Sequence, residues 1–369
     1  MRTEMSLQDY LDFGSKSSVK IVREWQQKYL AIDEVLRKNT KIIRLAHEDF
    51  RQWLSESAKG RKSKYTTDQI VRSLMVMFLE EDKYREVVIR IDGSRFLRKF
   101  VGLGPWKQMM DFTFLSRALS ALRPETLMAI NKVVAKYARE AVHRPAREEQ
   151  EQEAQAGGQE EVQGGSYEDK LLAHCEELAD RVIRQAEKRV FEGIILPADQ
   201  ELYSIFEEHT ELIKRGKAGK EVEFGHKIML ARTEEKFISQ YEVYEKREED
   251  PALVDDMLKP HREMFGDNPD LLTLDQGFYE SPEQLAELRD EISTVSIRKK
   301  GRKSKHEQQL EDEEQFKDGQ RFRAGIEGTI SVLKRGYKLD RCLFKGFKNY
   351  AASVGLAVLC HNLVLLTRL

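Results

Sequence analysis

Up to about residue 140, apolar residues recur at intervals of three and four, the period of helices that bury one face. In TTDQIVRSLMVMFLEE, Ile70, Leu74, Met77 and Phe78 share a side, and Thr67 with Asp68 and Gln69 predicts an N-terminal cap. The period continues through KYREVVIRI, SRFLRKFVGLG and DFTFLSRALSALRPETLMAINKVVAKYARE, punctuated by Gly93, Gly102 and Gly104-Pro105. Short helices joined by tight glycine turns fit a helix-turn-helix that would set FTFLSRALSAL in a DNA groove. They fit an ordinary helical bundle equally well.

The pattern then stops. PAREEQEQEAQAGGQEEVQGGS (Pro145 to Ser166) has no aromatic residue and is rich in Glu, Gln and Gly, the composition of a disordered linker. Helical spacing resumes in YEDKLLAHCEELADRVIRQAEKRVFEG, through Leu171, Leu178, Val182 and Ala186, and ends at Gly193. From Glu221 the period changes to two. Val222, Phe224, His226, Ile228 and Leu230 alternate with other residues, and KFISQYEVYE follows, so EVEFGHKIMLAR and KFISQYEVYE predict a β-hairpin. DPALVDDMLKPHREMFG reads as helix, LLTLD as strand, SPEQLAELRDEI as a helix opened by Ser281-Pro282, and STVSIR as strand. That order predicts an α/β layer with a mixed sheet over residues 222–300. A long helix from about Glu313 to Leu333 and a last apolar helix complete the chain.

Composition narrows the class. Charged residues make up 34% of the 369, yet the net charge is only -2, so the overall balance neither indicates nor excludes a nucleic-acid partner. Its distribution says more: acids crowd Glu148 to Glu161, and IRKKGRKSK (Ile297 to Lys305) is a compact basic run. Three scattered cysteines, Cys175, Cys342 and Cys360, exclude a disulfide framework and a CxxC metal site. MRTEMSLQDYLDF offers no signal-peptide core, and VGLAVLCHNLVLL is short for a membrane span and carries His361 and Asn362. A cytoplasmic protein with a buried last helix is expected.

Two acids stand out. Asp275 ends an apolar strand and is followed by a Gln276-Gly277 turn; a buried carboxylate there needs a cation or donors. Glu327, in RFRAGIEGTISVLKRG, borders the stripe of Phe322, Ile326, Ile330 and Leu333. A helix cap and a solvated glutamate are the plain alternatives. Together the two acids could hold a divalent ion, with Arg323 and Lys334 meeting phosphates.

These stretches resemble the DDE transposases of bacterial insertion sequences, whose catalytic domain is ribonuclease-H-like. YTTDQIVRSLMVMFLEEDKYREVVIRI and MMDFTFLSRALSAL are similar to the family's N-terminal helices, and SIFEEHTELIKRGKAGKEVEFGHKIMLA to the segment leading into its central hairpin. LLTLDQGFYE resembles the strand of the second catalytic aspartate. The family's pattern of Tyr, two residues, Arg, three residues, Glu, six residues, Lys places Arg323, Glu327 and Lys334, with Gln320 where the tyrosine belongs. The resemblance implies an α+β or α/β chain: a helical N-terminal DNA-binding domain (1–142), the acidic linker (143–166) and a ribonuclease-H-like mixed-sheet domain (167–369). It implies Asp275 and Glu327 as metal ligands and catalytic acids, with Arg323 and Lys334 beside them. It further implies Mg²⁺ or Mn²⁺ as cofactor, and a homodimer cutting and joining DNA at terminal inverted repeats, with no membrane partner.

One part does not match. The family's first aspartate belongs on an opening strand, and the interval where it should lie is the linker. Asp169 and Asp180 fall in helical sequence, and Asp199 in GIILPADQ comes too late. The expectation is a degenerate copy or, alternatively, a non-catalytic DNA-binding protein derived from a transposase. Arg298, Lys299, Lys300, Arg302 and Lys303, with Lys214 and Lys217 in KRGKAGK, are the candidate phosphate contacts. His226 reads as a packed strand histidine in preference to a ligand.

Overall fold

The structure, a computed structural model, describes residues 19–53, 64–104, 106–142, 167–197, 200–204, 207, 209–217, 220–246 and 250–368. The acidic linker therefore lies outside the described residues.

The first part is helical, as its period requires: α1 (Lys20–Lys38), α2 (Lys41–Trp53), α3 (Thr67–Leu79), α4 (Tyr84–Gly93), α5 (Arg95–Val101), α6 (Phe112–Ala121) and α7 (Pro124–Val142). The cap of α3 is Thr66, one residue earlier than expected. Its hydroxyl accepts from Gln69 N–H and the Gln69 side chain accepts from Thr66 N–H, a reciprocal pair that the T-x-x-Q spacing permits. Gly102, at φ 74°, ends α5 in the left-handed region that a side chain disfavours. Helix α6, the stretch considered for a DNA groove, buries Leu115, Ala118 and Leu119. Helix α8 (Tyr167–Phe191) follows, and Gly193 terminates it at φ 68°.

The strands are β1 (Glu211–Lys217), β2 (Lys220–Gly225), β3 (Ile228–Arg232), β4 (Ile238–Val243), β5 (Leu271–Thr273) and β6 (Thr294–Ser296). Helix α9 (Leu253–Phe265) lies between β4 and β5. Helix α10 (Pro282–Glu291), capped by Ser281 and opened by Pro282, crosses from β5 to β6. The expected hairpin is divided. Val222 to Gly225 pair with β1, and only β3 pairs with β4, because Gly225 at φ 151° breaks the strand ahead of His226. The expected mixed sheet is likewise not continuous: β1–β2, β3–β4 and β5–β6 are three separate pairs, the first two antiparallel and the last parallel. The architecture is α+β, mostly helical with small sheets.

Helices α11 (Lys305–Asp312) and α12 (Glu314–Gly336) precede the apolar α13 (Phe347–Leu366). By length and composition α13 could cross a membrane, but most of it is buried inside the protein. It packs on α7, α1, α3 and α6 within a core that also takes Phe237, Ile238 and Tyr241 from around β4. Two buried asparagines lock this junction. Asn362 Oδ1 accepts from Ile238 N–H at 3.0 Å, its Nδ2 donates to Ile238 C=O at 2.8 Å and to Asn131 Oδ1 at 2.7 Å, and Asn131 Nδ2 donates to Ile238 C=O at 3.1 Å. The polar break in VGLAVLCHNLVLL thus supplies hydrogen bonds that a buried strand end requires.

Candidate functional site

Strand β5 is short because the chain turns as soon as it passes β6. Leu274 N–H donates to Ser296 C=O at 3.3 Å, and Asp275 then caps a 3₁₀ turn, Gln276–Phe278, its carboxylate accepting from Gln276 N–H at 2.7 Å. The carboxylate that looked costly to bury is exposed, and a backbone donor satisfies one of its oxygens.

Glu327 is positioned through β6. Ser296 Oγ donates to Phe316 C=O at 2.9 Å, and Gln320 Nε2 donates to Ser296 C=O at 2.7 Å, so the residue in the tyrosine place clamps α12 to β6. Gly319 makes that approach possible: a Cβ there would lie 2.7 Å from Ser296 Cβ. Two turns beyond Gln320, Glu327 is exposed.

Asp275 and Glu327 line one cleft of about 1060 Å³. Arg323 lines it too; Lys334 does not. Strands β3 and β5 and helices α9 and α12 supply most of the remaining wall. Among the described residues the donor set does not fit a two-ion centre. Such a centre needs a carboxylate shared by both ions, and among the described residues no group of three or more His, Cys, Asp or Glu is arranged to hold a metal ion.

The cleft wall carries a second feature that the sequence reading missed. Arg232 Nε, Thr233 Oγ1, both amide atoms of Gln240, Asn268 Oδ1 and Arg323 Nε are buried without a hydrogen-bond partner, and all five residues line the cleft. Native proteins leave few such atoms, because each costs roughly 1–3 kcal/mol. Burial lowers the Arg232 pKa below its ordinary value. Arg232 lies over the Phe322 ring and against Gly325, where a Cβ would fall 2.1 Å from its Nη1. Its only sequence signal was an arginine closing the apolar run IMLAR.

The basic run reaches the cleft's rim. Gln276 Nε2 donates to Lys299 C=O at 3.0 Å, and Lys300 Nζ to Gly277 C=O at 3.0 Å. Lys299 pairs with Glu307 and Lys303 with Glu311, each at 2.6 Å, and the Lys299 hydrogen bond brings Glu307 down to about 2. Arg298 and Arg302 are exposed. Lys214 and Lys217 fall on β1, and their side chains lie outside the described residues.

His226 packs apart from this cleft. Its ring stacks on His209 with centroids 4.8 Å apart and meets Phe347 and Tyr350, while its Nε2 lies 2.6 Å from His209 Nδ1. Burial first, then His209, lowers its pKa.

Residues 192–363 match the family model described as the transposase DDE domain. The chain carries a transposase DDE domain. The matched span includes Asp275, Glu327, Arg323 and Lys334, and it begins ahead of β1, so the segment from Glu192 onward belongs to the domain. No curated protein and no solved structure matches the chain.

Proposed function

We propose that the protein serves DNA transposition, gripping the inverted-repeat ends of a mobile element across the helical region 1–142 and the basic run 298–303. In this reading Asp275 and Glu327 are two of the acids used in phosphodiester cleavage and strand transfer at those ends, with the Arg323 guanidinium directed at phosphate. The reading rests on one observation: two exposed carboxylates from separate elements line a single cleft inside the matched domain.

The same cleft favours a second reading, a DNA-binding protein that holds element ends without cutting them. Among the described residues no third acid joins the pair in an arrangement that could hold a metal. A chain of this kind binds DNA and cleaves it feebly by itself, since a misplacement of about 1 Å among reacting groups costs ~10²-fold in rate.

The test of DNA binding is fluorescence anisotropy with inverted-repeat duplexes, against shuffled duplexes, across a salt series. The expected result is tighter binding to the repeats and a steep loss of affinity with salt, as counterion release requires. Equal, salt-independent affinity for both duplexes would remove the DNA-holding role.

A further inference from the structure

The cleft lies between two strand edges that pair with nothing in the described residues. Tyr244 N–H donates to Lys227 C=O at 3.0 Å. Bonded pairs alternate along an antiparallel ladder, so Met229 and Ala231 bond β4, and Ile228 and Leu230 present N–H and C=O on the opposite edge. In the parallel pair, Leu274 N–H donates to Ser296 C=O at 3.3 Å and Thr294 N–H to Asp270 C=O at 3.0 Å. The backbone of Leu272 therefore bonds β6, and Leu271 and Thr273 present theirs on the other side.

Both free edges border the same space. Consecutive residues of each strand, 228–232 and 271–273, line the cleft. Side chains alternate between the faces of a strand, so an unbroken run of lining residues means that the backbone edge itself faces the cleft. Met257 and Leu258 of α9 and Phe322 and Ile326 of α12 give the space apolar walls. A slot with two hydrogen-bonding edges and apolar walls suits an extended, wholly apolar strand, the composition of strands covered on both faces. Unpaired edges of this kind are normally covered.

The chain has such a segment outside its sheets. Ile194, Ile195 and Leu196 follow the glycine that ends α8, precede Pro197 and adopt no regular structure. Ile195 is 72% exposed and Ile194 48%, beside Phe191 at 83%. Two β-branched residues and a leucine favour a strand, and the run is as long as β5 and β6, three residues each. In its own chain this run is outside the cleft, and the chain after it is fastened back on α8. Arg181 donates to Gln200 C=O at 3.2 Å, Leu202 N–H donates to Gln185 Oε1 at 2.9 Å, and Arg189 pairs with Glu201 at 3.6 Å.

We propose that the cleft is a strand-docking slot and that it takes the run Ile194–Leu196 of a second copy of the chain. Insertion joins β3–β4 and β5–β6 into one sheet across the swapped strand. It covers the exposed isoleucines, and it brings backbone donors and acceptors to a wall where the Gln240 amide, Thr233 Oγ1 and Asn268 Oδ1 have no partner. This goes beyond the transposition reading and does not depend on it.

The decisive experiment mixes two full-length variants, each with Cys175 and Cys342 replaced by serine; Cys360 is buried in the core. One carries Ile195→Cys and the other Leu230→Cys, and a short bis-maleimide is added. The expected product is a covalent dimer that forms in the mixture and not from either variant alone. A mixture that stays monomeric overturns the proposal. So does a chain carrying both cysteines that cross-links only within itself, which would place the run in its own cleft. Light scattering gives an independent reading. Ile195→Asp, at an exposed position, is expected to halve the solution mass of the wild-type dimer with unchanged circular dichroism. A wild-type monomer, or an Ile195→Asp dimer, contradicts the slot.

Discussion

The side-chain amide of Gln276 donates to the backbone carbonyl of Lys299 at 3.0 Å, tying the turn that follows Asp275 to the basic run. Lys300 returns a second bond to Gly277. Positive charge is thus fixed beside the candidate carboxylate, where incoming phosphates would need it. Within the run the charges are not equivalent. Lys299 and Lys303 already neutralise Glu307 and Glu311, whereas Arg298 and Arg302 have no ion pair among the described residues.

DNA affinity therefore separates two double variants. Arg298→Ala with Arg302→Ala is expected to reduce the slope of log affinity against log salt by about 1.8, two phosphate contacts at ~0.9 each. Lys299→Ala with Lys303→Ala is expected to change it less, because those ammonium groups must first leave a carboxylate. Anisotropy titrations over a salt series measure both, and the reverse ranking would show that the ion pairs are absent in solution.

Glycines on α12 make a stability contrast. Gly319→Ala places a Cβ 2.7 Å from Ser296 Cβ, while at Gly328 nothing lies within 4 Å. Overpacking at Gly319 is expected to cost about 1–3 kcal/mol and to shift α12 against β6. Gly328→Ala is expected to stabilise by up to about 1 kcal/mol through helix propensity. Urea unfolding of the two variants checks the sign of each.

The Asn131–Asn362 junction gives a larger effect. Asn362→Ala leaves the buried Ile238 N–H without its acceptor and Asn131 without its donor. Each orphaned group costs about 1–3 kcal/mol, so unfolding is expected at clearly lower urea. An unchanged midpoint would mean that water replaces the amide.

Buried His361 and half-buried His226 and His261 set an acid limit on stability. Burial lowers the pKa of His226, His261 and His361 below the ordinary 6.5. Each folded pKa lies under the unfolded one, so the unfolded chain binds more protons between them. Stability is fully present above about pH 6.5 and is expected to fall as pH drops through the lowered values. Chemical unfolding at pH 7.5, 6.5 and 5.5 should show this loss, and His226→Gln should flatten it in part. A stability that rises on acidification would contradict the direction.

The helices were legible because their signals are local. Ser281-Pro282 opens α10, Gly193 closes α8, and the stripe through Ile326 and Leu333 lies on α12. Strand pairing was not. Val222 to Leu230 keeps an alternating period through Gly225, yet the chain changes partner there, and period carries no record of partner. The same limit hid the gap between β3 and β5, since the strands that border a space are each well formed in sequence. That Asp275 and Glu327 would share a cleft came from the resemblance; the exposure of both came from the turn at Gln276 and the clamp at Ser296. The unpartnered amide of Gln240 had no sequence signature, and Arg232 showed only as the arginine closing IMLAR.

The central claim is that Asp275 and Glu327 face one cleft and that, among the described residues, no third acid joins them in an arrangement that could hold a metal ion. The most direct measurement is strand cleavage on inverted-repeat DNA with Mg²⁺ or Mn²⁺ present, comparing the native chain with Asp275→Ala and Glu327→Gln. DNA bound by all three proteins, with cleavage by the native chain feeble, is the expected result. Robust native cleavage abolished by either substitution would contradict it, because a third acid would then have to complete the pair.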